Sequence, residues 1–254
     1  MHHTKQLAKK LIVAVAENAN DEAIMNRQIS KSELAAEFFG SMFLVMAAVS
    51  SMIFFTAVFE APKSIAIIAN ALSVAFVLCA LIEMFGSISG AHFNPVVTMI
   101  MLLEKKVTAL KAVLFVVCQF AGGIVGTMFS RLMFLNEVGV LLSVSDNVRN
   151  EYVFYGEIFG TFILILAILL LVKAGSNKIS LIIGFLVGGQ LMATSSTMFA
   201  NPQVTVARIF TNSVSGIRPI DALIFIAMQI IGALLAYAVY RLLFSKNTYM
   251  QEER

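Results

Sequence analysis

Two stretches of this sequence decide its fold: Asn94-Pro95-Val96-Val97-Thr98 and, in the second half of the chain, Asn201-Pro202-Gln203-Val204-Thr205. An asparagine can cap the free backbone N–H groups at a helix start, and a proline fits the first helical position because no N–H is needed there. The segments that these pairs open, at about 94–104 and 201–212, are apolar but too short to cross a bilayer. We therefore predict two re-entrant half-helices.

Other markers indicate that the chain is an internal repeat. Those of the first half are Glu37-Phe38-Phe39-Gly40-Ser41 and Gln119 before Gly122, and those of the second are Glu157-Ile158-Phe159-Gly160-Thr161 and Gln229 before Gly232. They recur in the same order as the Asn-Pro pairs, so chance is a poor explanation. Each half holds three predicted spans, an odd number. The halves must therefore lie upside down relative to each other, as an inverted repeat.

The composition predicts that the chain lies in a membrane. Of its 254 residues, 59% are hydrophobic and 13% are charged, against about 45–50% and about 25% in soluble domains. So few charges could not cover a soluble fold, which excludes a water-soluble enzyme, a nucleic-acid binder and a disordered scaffold. We predict an all-α, multi-pass membrane protein with six spans, at about 33–58, 65–86, 108–134, 152–173, 179–197 and 221–244.

These spans divide the chain into five parts. They are a cytoplasmic amphipathic N-terminal segment (1–32, with a partly ordered tail as the alternative), a first repeat (33–135), an extracellular connecting loop (136–150), a second repeat (151–245) and a cytoplasmic tail (246–254). Most of the 18 lysines and arginines then lie on the side of the termini, so the positive-inside rule predicts that both termini are cytoplasmic. The absence of an Asn-x-Ser/Thr sequon fits a bacterial inner membrane.

The predicted inversion brings the two half-helices together at the bilayer midplane. Asn94 and Asn201, each followed by its proline (Pro95 and Pro202), would form a pore centre on which two positive helix ends converge. Non-helical backbone is allowed at that depth only where it is buried or lines a water-filled path. Such a path can hand along a permeant with donors and acceptors while it repels a cation. The loop residues predicted to present carbonyl acceptors are Gly90, Ala91, His92, Thr197, Phe199 and Ala200.

The stretch Ser89-Gly90-Ala91-His92-Phe93-Asn94-Pro95-Val96-Val97-Thr98 resembles the first signature of the aquaporin and aquaglyceroporin family, also called major intrinsic proteins. The resemblance covers about 33–245, including the glutamate near each repeat start and the glutamine in the third and sixth spans. It implies six transmembrane helices plus two half-helices, one pore in each subunit, and a homotetramer. It implies neither an enzyme nor a cofactor or metal. The implied partners are the lipid bilayer, water and small neutral solutes.

Glu37 and Glu157 are ionisable groups inside apolar spans, which makes them candidate functional residues. The resemblance implies that each carboxylate accepts hydrogen bonds from a re-entrant loop and braces it; a proton relay is the alternative. Glu83, counted along its helix, lies nearly opposite the face of Val74 and is expected to point away from the pore, towards a neighbouring helix or subunit. His92 follows the family signature and is expected to orient its loop.

The second signature departs from the water-selective pattern of the family. Typical members have an arginine three residues after the second asparagine. This chain has Val204 there, and an arginine follows one turn later at Arg208. The other constriction positions, carried over by ungapped spacing, are Val74, Met198 and Gly189, or Gln190 if the spacing slips by one. The resemblance thus predicts a selectivity filter that is wider and more apolar than a water-only one.

The segment from Thr194 to Arg208 also resembles a bacterial branch of the family that is often associated with arsenic resistance. We therefore expect a passive channel for water and small uncharged solutes, including glycerol-like polyols and neutral metalloids such as arsenite, that excludes protons and ions. One alternative is a secondary transporter, because inverted repeats and broken helices also occur there. Others are a water-only aquaporin and a structural junction protein. A membrane enzyme would need clustered His, Asp or Glu at one depth, and His92 is the only histidine in the spans.

Overall fold

The structure is a computed structural model that describes residues 29–244; the predictions for the N-terminal segment and the tail fall on 1–28 and 245–254, outside the described residues. In the first half, helix α1 spans Lys31–Ile53 and continues as a π-helical turn, Phe54–Val58. Helix α2 spans Lys63–Ser89, the half-helix α3 spans Pro95–Leu103 and α4 spans Ala109–Met133. A short helix, α5 (Leu135–Val138), follows.

The second half repeats this order. Helix α6 spans Glu151–Lys173, α7 spans Ile179–Ala193, the half-helix α8 spans Pro202–Ala207 and α9 spans Pro219–Phe244. Within residues 29–244, five helices are long and apolar enough to cross a membrane, while α7 is apolar but shorter. The architecture confirms the predicted all-α membrane fold.

Two segments end earlier than the sequence predicts. Helix α7 ends at Ala193 instead of near 197, because Thr194 is extended and the chain turns into the loop that leads to α8. Helix α8 ends at Ala207 instead of near 212, and a 3-10 turn, Arg208–Phe210, follows it. The carbonyl groups of this turn accept hydrogen bonds from other loops, including one from the backbone N–H of Ser145 to Ile209 at 2.8 Å. A longer helix would need those acceptors for itself.

Both half-helices begin at the Asn-Pro pairs. The side-chain oxygen of Asn94 accepts the backbone N–H of Val96 at 3.0 Å, and that of Asn201 accepts the N–H of Gln203 at 3.1 Å. A proline fills the first helical position in each case. Each cap satisfies one of the backbone donors that a helix start leaves free.

Glycines let the first and third helices of each half pack closely. A Cβ added at Gly122 of α4 would lie 2.1 Å from the carbonyl oxygen of Phe38 in α1, and one added at Gly232 of α9 would lie 2.4 Å from that of Ile158 in α6. Small residues at such contacts are typical of membrane helix pairs. The two contacts occupy equivalent positions in the repeat, so both halves use the same packing.

The two ends of the bundle carry different segments. We call the end where α1 begins and α9 ends the terminal face, and the opposite end, which carries residues 134–150 and 208–218, the loop face. On the terminal face Lys111 forms an ion pair with Glu33 at 2.6 Å. On the loop face the connecting loop packs against the segment that follows α8. Half-helix α3 leads to the terminal face and α8 to the loop face.

Candidate functional site

The two half-helices meet through reciprocal hydrogen bonds of their capping asparagines. The side-chain amide of Asn94 donates to the carbonyl of Ala200 at 2.8 Å, and the amide of Asn201 donates to the carbonyl of Phe93 at 2.8 Å. Each acceptor is the residue directly before the other asparagine. Because a primary amide carries two N–H groups, each asparagine retains one further donor at the crossing.

The loops before the two asparagines have the same unusual backbone. Left-handed φ angles occur at Gly90 (90°), Ala91 (51°) and Phe93 (47°), and at the equivalent Thr197 (57°), Met198 (37°) and Ala200 (45°). Residues other than glycine rarely adopt this backbone conformation, because it costs about 1–3 kcal/mol for each residue. Strain of this kind persists only where the surroundings enforce it. The matching pattern shows that both halves enforce the same loop shape.

A cavity of about 730 Å³ runs from the terminal face past both asparagines to Arg208. Of the predicted carbonyl residues, five line it, namely Gly90, Ala91, His92, Phe199 and Ala200. Thr197 does not line it; its hydroxyl donates to the carbonyl of Ser196. The carbonyl of Ala200 is already an acceptor for Asn94, so only its second lone pair can serve a permeant.

The buried carboxylate of Glu37 holds the first loop. It accepts the backbone N–H groups of His92 at 3.0 Å and Phe93 at 2.8 Å. The hydroxyl of Ser89 donates to it at 2.6 Å and the amide of Gln119 at 2.7 Å. Hydrogen bonds from buried donors to a charged acceptor are stronger than neutral ones. Glu37 therefore satisfies two backbone N–H groups of the first loop.

Glu157 makes the same contacts with the second loop. It accepts the backbone N–H groups of Phe199 at 2.9 Å and Ala200 at 2.8 Å, and the amide of Gln229 at 2.6 Å. Both carboxylates are fully buried and face loop backbone. In neither half does this carboxylate line the cavity.

One glutamine in each half extends the brace to the half-helix, a role that the sequence pattern alone does not assign to it. Gln119 also donates to the hydroxyl of Thr98 at 2.9 Å, and Gln229 to that of Thr205 at 2.8 Å. Each threonine hydroxyl in turn donates to the carbonyl of its capping asparagine. The signal that could have identified them is the repeat itself, because a buried amide that recurs at equivalent positions needs a partner in each half.

The buried apolar side chains that line the cavity on the loop-face side of the asparagines include Val74, Leu191, Met198 and Val204. All four belong to one cluster of packed apolar residues. We call them the apolar ring. Three of them are positions that the sequence predicts for the filter, and Leu191 is new.

The structure does not bring Gly189 to the cavity. This residue is exposed, a Cβ added to it would meet nothing within 4 Å, and it does not line the cavity. The alternative, Gln190, is also absent from the lining, whereas Ile183, Val187 and Leu191 form the stripe of α7 that faces it. Two residues along a helix correspond to a rotation of about 200°, so Leu191 lies nearly opposite Gly189. Because Leu191 and not a glycine lines the cavity here, α7 does not contribute the extra width that a glycine would give to the selectivity filter.

Arg208 lies at the loop-face end of the cavity and is 4% exposed. Its guanidinium group lies over the ring of Phe199, 4.1 Å from the ring centroid, and one Nη donates a long hydrogen bond of 3.5 Å to the carbonyl of Ala48. Among residues 29–244 its Nε has no hydrogen-bond partner. A buried guanidinium with an unsatisfied donor is costly, so the surrounding structure must hold Arg208 in this place.

A second guanidinium, that of Arg149, lies 5.5 Å from the same ring centroid and donates to the carbonyl of Gly216 at 2.9 Å. Burial lowers the pKa of Arg149 from its ordinary value, while the carboxylates of Glu157 and Asp221 act in the opposite direction. Two cations therefore flank Phe199 on the loop-face side of the apolar ring, which disfavours the approach of a third cation.

Two polar residues, Glu83 and His92, line the cavity towards the terminal face. Glu83 lines the cavity there and accepts the hydroxyl of Ser180 in α7 at 2.9 Å. This bond is the expected one to a neighbouring helix, but Glu83 does not point away from the pore as the sequence predicts, because it belongs to the lining of the cavity. His92 contacts Thr98 through Nδ1 at 3.0 Å and packs edge-on against Phe115.

An inverted repeat whose half-helices meet at paired asparagines, with a cavity leading past them, defines a multi-pass membrane channel. The family model described as major intrinsic protein matches residues 25–198. The chain belongs to the major intrinsic protein family. Its relatives are channels and not enzymes, so this chain is a passive channel for water and small solutes.

The relatives include both aquaglyceroporins and aquaporins. The aquaglyceroporin AqpS of Rhizobium meliloti (strain 1021) is 34% identical over 207 residues, which cover 81% of this chain and 87% of AqpS. Aquaporin-4 of Mus musculus is 28% identical over 227 residues, covering 86% of this chain and 69% of its own. The X-ray structure of the aquaglyceroporin from Plasmodium falciparum matches with a TM-score of 0.59 at 18% identity, covering 85% of this chain and 96% of that one. At that identity the likeness shows the fold alone.

Proposed function

We propose that the channel conducts glycerol-like polyols and neutral metalloid hydroxides such as arsenite as well as water, and that it excludes protons and ions. The observation that carries this proposal is the apolar ring. Typical water-selective members of the family have an arginine at the position of Val204, and the ring has no charged member. The name of the relative at 34% identity, the aquaglyceroporin AqpS, supports the same solute class.

An apolar ring discriminates through desolvation. Every polar permeant leaves hydrogen bonds behind when it enters such a ring. A solute with a carbon or arsenic centre recovers dispersion contacts with the side chains of the ring, whereas a water molecule recovers few. An arginine at position 204 would instead offer fixed donors, which compensate water well. The ring therefore lowers the barrier for the larger neutral solutes relative to that for water.

Arg208 supplies a polar step next to the apolar ring. Its guanidinium group lies at the end of the cavity and carries Nη–H donors that can bond a hydroxyl oxygen of a polyol or of a metalloid hydroxide. A permeant would then move between this donor and the asparagine amides at the crossing, with the apolar ring between the two polar points.

Exclusion of ions rests on the crossing. Two half-helix N-termini, each equivalent to about half a positive charge, converge at Asn94 and Asn201, and the asparagine amides offer donors. The two nearby carboxylates, Glu37 and Glu157, are engaged with loop backbone. At the crossing a cation thus meets positive potential without a free counter-charge beside it, and neither Glu37 nor Glu157 lines the cavity, so a proton relay through them has no outlet there.

The orientation and assembly follow from the surfaces. The terminal face carries basic residues, among them Lys31, Lys105, Lys106, Lys111, Lys173 and Lys178, so we place it and both termini in the cytoplasm of a bacterial inner membrane. Large apolar side chains such as Phe76, Phe159 and Phe185 are exposed on the sides of the bundle, where lipid or a second copy would cover them. We propose a homotetramer with one pore in each subunit, which light scattering of the detergent-solubilised protein can test.

Stopped-flow light scattering on proteoliposomes tests the solute proposal, with water, glycerol and arsenite measured in parallel. We expect all three to permeate faster than in protein-free vesicles. Flux of water alone would contradict the proposal and indicate a water-only channel. Accumulation of solute against its gradient would contradict the passive mechanism and indicate a secondary transporter.

A further inference from the structure

One face of α4 forms the seat of half-helix α8 and of the turn that follows it. Its members are Gly123, Thr127 and Arg131, spaced by four residues. A Cβ at Gly123 would lie 2.2 Å from the side-chain oxygen of Gln203, so the absence of a side chain lets α8 approach. The hydroxyl of Thr127 donates to the carbonyl of Ala207 at 3.0 Å. The first two positions thus fix α8 up to the residue before Arg208.

Arg131 completes this seat beyond Arg208. It is 2% exposed, and its guanidinium donates to the hydroxyl of Thr211 at 3.0 Å and to the carbonyls of Val140 at 2.9 Å and Val138 at 3.3 Å. The three acceptors come from two separate segments of the loop face. A planar guanidinium with several fixed donors can join them, whereas a lysine ammonium cannot match that geometry.

The segment joined in this way is the one that positions Arg208. Thr127 holds the residue before Arg208, and Arg131 holds Thr211 directly after its 3-10 turn. The connecting loop adds backbone bonds from Ser143 to Phe210 at 3.1 Å and from Ser145 to Ile209 at 2.8 Å. The guanidinium of Arg208 itself makes one long hydrogen bond and a ring contact. Its place at the end of the cavity therefore depends on the backbone that Arg131 holds.

The repeat provides a second arginine for comparison. Arg241 of α9 occupies the position equivalent to Arg131, just as Gln229 is equivalent to Gln119, and Glu104 after half-helix α3 is equivalent to Thr211. Arg241 approaches Glu104 only to 3.9 Å, and its side chain is 65% exposed. The same pairing therefore occurs in both halves, buried and closely bonded on the loop face, and exposed and loose on the terminal face.

We propose that Arg131 is a positioning residue that determines solute specificity: its guanidinium holds the turn that carries Arg208 and so keeps the outer end of the pore narrow. This inference rests on the proposed function, in which Arg208 contacts the permeant. When the turn is released, Arg208 leaves its place over Phe199 and larger neutral solutes pass more easily relative to water.

The test compares Arg131→Gln and Arg131→Lys with Arg241→Gln as the matched control from the other half. The readout is the ratio of glycerol to water permeability in proteoliposomes, which does not depend on the number of folded channels. We expect both variants at position 131 to raise the ratio about threefold or more, a change in relative barrier heights, and Arg241→Gln to leave it unchanged. An unchanged ratio in both Arg131 variants overturns the proposal, as does a wild-type ratio in Arg131→Lys alone.

An Arg208→Val background shows whether Arg131 acts through Arg208. In that background Arg131→Gln should no longer change the ratio, because non-additivity reports the coupling of the two residues. An undiminished effect contradicts the proposal. If the Arg131 variants do not fold, Thr211→Val removes one acceptor at nearly constant volume. It should raise the ratio in the same direction, and an unchanged ratio overturns the inference.

The failure of this inference can be told apart from the failure of the proposed function. A wild-type channel that passes no glycerol contradicts the proposed function alone. The positioning role would then appear as a glycerol flux in Arg131→Gln that Arg241→Gln lacks, and the absence of that flux contradicts the positioning role as well.

Discussion

The two halves of this channel agree closely at the centre and diverge towards the two faces. At the centre, each half-helix is capped by an asparagine that bonds to the other loop, and each loop is held by a buried glutamate. Beyond the half-helices, the segment after α3 is a short connection to α4, whereas the segment after α8 is a long one bonded to the connecting loop.

This difference separates the tasks of the two regions. The symmetric centre presents equivalent asparagine donors to a permeant from either direction. The asymmetric loop face carries the apolar ring and Arg208, which are present once, and we propose that they set which neutral solutes pass. Equivalent substitutions at the centre of the two halves should therefore have effects of similar size. Substitutions in the apolar ring should change the solute selectivity and leave ion exclusion unchanged.

The largest expected effect is loss of a brace. Glu37→Leu leaves two buried loop N–H groups without an acceptor, at about 1–3 kcal/mol for each group, and Glu157→Leu does the same in the other half. We expect both to reduce the yield of folded protein in detergent sharply and to a similar extent. The matched variants Glu37→Gln and Glu157→Gln keep shape and an acceptor oxygen and should be mild. Transport abolished by Gln in a stably folded protein would contradict bracing and favour a proton relay.

The next effect is on ion exclusion at the crossing. Asn94→Asp or Asn201→Asp introduces a carboxylate whose charge offsets the two half-helix ends, each about half a positive charge. We expect each variant to admit a proton or sodium leak under an imposed potential in liposomes, with similar leaks from the two. An unchanged leak in a folded, water-conducting variant would count against the electrostatic account. A leak from one variant alone would break the symmetry of the centre.

A smaller effect distinguishes Leu191 from Gly189 in the apolar ring. Leu191→Gly removes a side chain that lines the cavity and should raise glycerol permeability several-fold, since the ring becomes wider. Gly189→Leu adds a side chain where nothing lies within 4 Å and should leave solute permeability unchanged. Stopped-flow rates for glycerol at equal channel density provide the measurement. The opposite pattern would restore Gly189 to the filter.

Much of the fold could be predicted from the sequence because its signals are local. An Asn-Pro pair before an apolar segment specifies a cap and a first helical residue wherever it occurs. Its recurrence with Glu37 and Glu157 in the same order then fixes the inverted repeat. Gly122 and Gly232 belong to the same pattern, and both lie at close helix contacts.

The filter could be predicted only in part, because its geometry depends on the length of a turn. Met198 and Val204 lie within three residues of Asn201, so their places follow from the half-helix start. Residues of α7 are connected to Asn201 through the loop 194–200, and an error of two residues there rotates a helix position by about 200°. Ungapped spacing therefore predicts Gly189 at the constriction, whereas Leu191, two residues further along α7, lines the cavity. The seat formed by Arg131 depends on contacts between distant segments, which no local pattern specifies.

The most direct test of the central account compares the glycerol-to-water permeability ratio of the wild type with that of Val204→Arg, in preparations of equal folded yield. The account predicts that glycerol permeates the wild type and that Val204→Arg lowers the ratio by about tenfold, a change of about 1.4 kcal/mol in relative barrier heights, because a cationic side chain with fixed donors replaces one member of the apolar ring. A wild-type channel that passes water but no measurable glycerol, or a ratio unchanged by Val204→Arg, would contradict it.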